Sequence, residues 1–106
     1  MNLKAELVTC VKDLYTLGLN TAISGNHSVR FEKIWMWITP SEIPRYKMKT
    51  TDLIRINMKT NAIMGKHKPS REWVMHKKIY ENSGANAIVQ CHSPFTLGVS
   101  ISSNFK

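Results

Sequence analysis

Acidic side chains are scarce in this sequence: seven Asp and Glu stand against fifteen Lys and Arg over 106 residues, giving a net charge of +8 and a pI near 9.8. A basic excess of that size raises nucleic acid as a partner. The features such a partner requires are missing. Lysines scatter from Lys4 to Lys106 with only short clusters at Lys47/Lys49, Lys66/Lys68 and Lys77/Lys78, and no aromatic-and-arginine pattern of an RNA-binding sheet or recognition helix accompanies them. The excess therefore reads as a solvated basic surface, and nucleic acid is not the expected partner.

Cysteine is nearly absent. Cys10 and Cys91 lie far apart and set no disulfide framework, so both are expected as reduced core thiols. No apolar run approaches the ~18 residues of a membrane span, and Met1 to Glu6 lacks the apolar core of a signal peptide. The expectation is a cytoplasmic chain with no membrane partner. Internal repeats, low-complexity tracts and linkers are also missing, which leaves one domain over residues 1–106.

The patterning that is present alternates between helical and strand periods. Leu3, Leu7, Val8, Val11, Leu14 and Tyr15 recur at three- and four-residue steps and predict a helix ending at Gly18. Gly25-Asn26 permits a tight loop, from which His27 to Phe31 leaves as a strand. Ile34 to Ile38, rich in aromatic and β-branched residues, is its hairpin partner. Lys47 to Thr51 is too polar for core. Asp52 to Asn57 predicts a third strand, paired with Asn61 to Gly65 across a Lys59-Thr60-Asn61 turn. Trp73, His76, Ile79 and Tyr80 share a helical face behind Ser70 as N-cap, with Glu72 in the first turn. Ala87 to Cys91 forms a further strand, in which Gln90 and His92 point one way and Cys91 the other. Ser93-Pro94 then suits a helix start. His27 and His67 have no partner at recognisable spacing and are expected at the surface or in loops. Glu72 and His76 are spaced for an exposed helix pair.

Four stretches carry chemistry: Ser24-Gly25-Asn26-His27-Ser28-Val29-Arg30, Ile38-Thr39-Pro40-Ser41, Lys68-Pro69-Ser70-Arg71-Glu72 and Ile88-Val89-Gln90-Cys91-His92-Ser93-Pro94. In this order they resemble the signatures of the class II aldolase/adducin family, in its L-fuculose-phosphate aldolase branch. The resemblance implies an α/β fold, the first half of a three-layer α/β/α sandwich with a mainly antiparallel sheet. It implies zinc as the cofactor, and sugar phosphate or dihydroxyacetone phosphate as the ligand. By the same resemblance Glu72 is the acid/base residue beside the metal, His92 is a zinc ligand, and Gly25, Asn26, Ser41 and Ser70 hold the substrate phosphate.

This chain departs from the family pattern at three positions. Gln90 stands where a second histidine belongs, and a neutral amide is a poor replacement for imidazole at zinc. Glu42 follows the Thr-Pro-Ser where glycine is usual, and Arg71 replaces a second serine. The expectation is a shortened, catalytically impaired aldolase-like protein. The alternatives are an aldolase completed by a second chain, whether as a homo-oligomer or with a complementing second half, and a noncatalytic adducin-like interaction module.

Overall fold

Asn2 opens the first helix, α1 (Leu3–Thr16), by accepting the Ala5 N–H on its side-chain oxygen at 3.1 Å. Leu7, Val8 and Val11 form the buried stripe of α1. The helix is closed where Gly18 takes φ +77 and donates its N–H to the Tyr15 carbonyl at 3.0 Å. The computed structural model describes residues 2–22, 24–91 and 100–102.

Beyond the helix the chain lays down β1 (Asn26–Phe31) and β2 (Trp35–Ile38), joined where Glu32 and Lys33 both adopt positive φ. Such a turn matches the strand twist of a tight hairpin. β3 (Ile54–Asn57) and β4 (Ile63–Met64) form a second hairpin, with Asn61 at φ +65 in its turn. The helix α2 (Trp73–Asn82) precedes β5 (Ala87–Gln90), and β6 (Ser100–Ser102) completes a six-stranded sheet in the order β4-β3-β2-β1-β5-β6. Every pairing is antiparallel.

Strand alternation divides the core into two layers. Met36, Ile38, Ile54, Ile56 and Ile88 lie on one face with Tyr80 of α2 and Ala85, and Trp73 and Ile79 pack against them. On the other face α1 places Leu7, Val8 and Val11 with Met48 and Leu53, against Val29 and Trp37. The result is helix, antiparallel sheet, helix: the expected three-layer α/β/α arrangement.

Four local expectations are corrected. α2 starts at Trp73, with Glu72 as the residue before it rather than in its first turn, because Arg71 and Glu72 form a turn that Ser70 closes. β3 starts at Ile54, since Thr50–Asp52 is a short 3-10 turn. Cys91 falls just past the end of β5. Met48, within the polar stretch, is fully buried under α1; one inward residue between exposed Lys47 and Lys49 leaves no period to detect. The helix start expected at Ser93-Pro94 lies outside the described residues.

Candidate functional site

Gly25, Asn26, Ser41 and Ser70 line one hollow of about 410 Å³, together with Glu42, Arg45, Lys68 and Arg71 among others. Backbone pairing brings the segments together. Thr39 N–H donates to the His27 carbonyl at 3.0 Å, and His27 N–H donates to the Thr39 hydroxyl at 3.2 Å, joining the end of β2 to the start of β1. Pro40 and Pro69 form an isolated antiparallel bridge, flanked by Ser41 N–H to the Lys68 carbonyl and Ser70 N–H to the Thr39 carbonyl, both 3.0 Å. Ser70 Oγ accepts the Glu72 N–H at 3.2 Å, so its own O–H proton is free to donate. Gly25 sits at φ +84, and a Cβ there would strike the Asn20 side chain, so only glycine fits this turn without displacing it.

Behind Asn26 runs a buried polar chain whose direction is fixed by its ends. Asn26 Oδ1 can only accept, so His76 donates from Nε2, and His76 Nδ1 must then accept from Ser28 Oγ, 2.6 Å away. Ser28 Oγ in turn accepts from the Tyr80 hydroxyl at 2.7 Å. The amide nitrogen of Asn26 is thereby left as the donor it can offer to the hollow. Burial holds the His76 imidazole down to about 4 and, despite the Ser28 and Arg30 interactions, pushes the Tyr80 phenol up. His27 lies on the opposite sheet face, accepting from Asn20 Nδ2 on its Nε2 at 3.0 Å. Burial first, then the Arg45 and His76 charges, bring His27 to about 3.

Two sequence expectations about histidine are therefore overturned. His27 is fully buried rather than in a loop or at the surface, and His76 is fully buried rather than half of an exposed pair with Glu72. The shared stripe of His76 with Trp73, Ile79 and Tyr80 was the signal for its burial. His67 is half-buried and meets Asp52 at 2.9 Å.

Arg45, which no motif singled out, is 1% exposed. Its guanidinium donates to the carbonyls of Gly25 at 2.7 Å, Ile43 at 3.0 Å, Pro40 at 3.2 Å and Ser24 at 3.4 Å. Its backbone N–H reaches the Ala22 carbonyl. One side chain thus joins the loop before β1 to the loop after β2, the two that carry Gly25 and Ser41.

The candidate acid Glu72 is exposed at the start of α2, its side chain making no capping bond. Gln90 pairs in register with Asn26, and its side-chain oxygen is buried without a hydrogen-bond partner among the described residues. His92 lies outside the described residues. Among the described residues no three His, Cys, Asp or Glu side chains converge on a point that could hold a metal. His27 and His76 are engaged in the buried bonds above, so the described residues do not fit a four-coordinate zinc centre. No helix among them is long and apolar enough to cross a membrane.

Known proteins resemble the chain in sequence and in fold. L-fuculose phosphate aldolase of Haemophilus influenzae is 36% identical over 104 residues, covering 93% of this chain and 45% of the relative. 5-deoxy-D-ribulose 1-phosphate aldolase of Bacillus thuringiensis is 33% identical over 94 residues, covering 87% and 44%. A solved L-fuculose 1-phosphate aldolase superposes with a TM-score of 0.80 at 33% identity, over 87% of this chain and 44% of its own. The chain spans about half the length of the curated relatives it matches. The family described as the class II aldolase and adducin N-terminal domain matches residues 5–105, and with three-layer architecture and sequence in agreement, this chain belongs to the class II aldolase and adducin family.

Proposed function

We propose that this chain is the phosphate-holding half of a class II aldolase-like protein acting on ketose 1-phosphates or dihydroxyacetone phosphate, with the phosphate seated in the hollow. One observation carries the reading: Gly25, Asn26, Ser41 and Ser70, from separate segments, line a single polar hollow with Arg45, Lys68 and Arg71, three cations against the one carboxylate of Glu42. Hydroxyl, amide and guanidinium donors around a concave site are the groups that hold a phosphate. The relatives whose names specify fuculose phosphate and deoxyribulose 1-phosphate support the sugar-phosphate class.

On this proposal Glu72 is the proton-transferring group and His92 a remaining metal ligand. Gln90 in place of imidazole leaves the chain by itself without retro-aldol activity. A working site would need the missing groups from a complementing second half in the cytoplasm. The apolar groove of about 430 Å³ between α1 and β5, lined by Leu3, Leu7, Val29 and Val89, supports such a covering partner.

Titration with inorganic phosphate, followed by backbone NMR, tests the hollow. Saturable shifts at Gly25, Asn26, Ser41 and Ser70, weakened in Ser70→Ala, are expected. Shifts that spread over the lysine-rich surface and never saturate would sink the assignment. Incubation of the chain with fuculose 1-phosphate is expected to release no dihydroxyacetone phosphate.

A further inference from the structure

Among the described residues no carboxylate forms an ion pair with Arg45; the ion pairs present are those of Asp52 with Lys66 and His67. A buried cation is ordinarily paired, because carbonyl dipoles replace only part of the hydration it gives up. Arg45 is buried, its guanidinium meets backbone carbonyls alone among the described residues, and its burial pushes its pKa down. The neighbouring His27 is held neutral and brings no charge. Four of the five guanidinium N–H groups go to Ser24, Gly25, Pro40 and Ile43, and the fifth has no recipient among the described residues. Arg45 also lines the hollow. Lys68 and Arg71 at the same hollow are exposed, so salt screens their attraction, whereas a buried charge is screened far less.

We propose that Arg45 is the positioning residue of the anion hollow and that the bound anion is its missing counter-ion. The guanidinium fixes the loops carrying Gly25 and Ser41, and its uncompensated charge draws a phosphate-class anion to the donors those loops present. This inference rests on the hollow being a phosphate site. It adds that folding and anion binding are linked through one side chain: phosphate stabilises the chain by relieving a buried charge.

The test compares unmodified protein, Ser70→Ala, Arg45→Lys and Arg45→Gln, each titrated with inorganic phosphate against an ionic-strength-matched chloride control and followed by thermal unfolding and NMR. Lysine keeps the charge but loses the fork, while glutamine loses both. The expected result is saturable stabilisation of the unmodified chain by phosphate, affinity about ten-fold weaker in Arg45→Gln, and Arg45→Lys recovering most of the difference. Equal loss in the lysine and glutamine variants would reduce Arg45 to a loop fastener and overturn the charge role. Unchanged affinity in Arg45→Gln with weakened binding in Ser70→Ala would overturn the Arg45 inference and keep the phosphate site. A phosphate-indifferent unmodified chain would overturn both. Should the variants fail to fold, the Arg45 Nε–H signal of the unmodified protein decides: a shift that saturates together with those of Gly25 and Ser70 supports the proposal, and a stationary signal overturns it.

Discussion

His76 on α2 donates its Nε2 proton to the side-chain oxygen of Asn26 on β1, so an imidazole on one helix sets which end of a strand amide the hollow meets. The bond spans fifty positions of sequence and joins the α2 layer to the sheet at the edge of the candidate site.

Replacing this imidazole should therefore cost both stability and binding. His76→Phe leaves the Asn26 oxygen and the Ser28 hydroxyl without the partner that ordered them, an expected loss of about 1–3 kcal/mol for buried groups left unsatisfied. Urea unfolding measures it. Phosphate affinity should fall in the same variant, because the Asn26 amide is free to turn. A His76→Phe protein as stable as the parent would show that the relay contributes nothing net.

Acid should unfold the chain through its two buried histidines. Burial lowers His27 to about 3 and His76 to about 4, whereas unfolded imidazoles titrate near 6.5. Below that unfolded value the unfolded state binds more protons than the folded one, so stability is fully present above about pH 6.5 and drains away as pH falls towards 4. The slope approaches about 1.4 kcal/mol per pH unit for each histidine inside that window. Urea midpoints at pH 7.5, 6.0 and 5.0 should fall in that order, and His76→Gln should show a shallower decline than the parent. Asp52, which the Lys49 N–H, His67 and Lys66 lower against its partial burial, adds a loss of the same sign at more acid pH.

The elements were legible because their periods are local. Leu7 and Val11 lie one turn apart on α1, and Met36 and Ile38 alternate out of Trp35 and Trp37 on β2. The membership of the hollow was legible as motif residues, not as geometry, since Ser41 reaches Ser70 only through the Pro40–Pro69 bridge. Burial of polar side chains was the part that sequence hides. His27 reads as polar until its register opposite Val89 and its contact with Asn20 are known. Arg45 was harder still, because its partners are carbonyls, and every residue carries one.

Gly25→Ala should disturb the hollow without touching any donor. The new methyl meets the Asn20 side chain at a φ that L residues rarely adopt, so Asn20 must leave His27 or the loop must move. A loss of about 1 kcal/mol or more is expected, together with weakened phosphate binding. Thermal unfolding and the phosphate titration check both, and Gly84→Ala, where a Cβ meets nothing within 4 Å, is the matched control.

Gln90 offers the sharpest contrast between the chain and its family pattern. Its side-chain oxygen is buried and has no partner among the described residues, directly across the strand pair from Asn26, at the position where the family resemblance expects imidazole. Gln90→His puts a nitrogen ligand there and replaces a neutral amide that binds zinc poorly. Zinc retained after dialysis, measured by elemental analysis, should rise in this variant and fall again in Gln90→His with His92→Ala. Retro-aldol cleavage of fuculose 1-phosphate should stay undetectable, because Glu72 is taken as the proton-transferring group and the imidazoles at positions 90 and 92 alone fall short of the three protein ligands of a catalytic zinc. Stoichiometric zinc in the unmodified chain, lost on His92→Ala, would show that Gln90 is no obstacle. It would place the remaining ligands on a second copy of the chain.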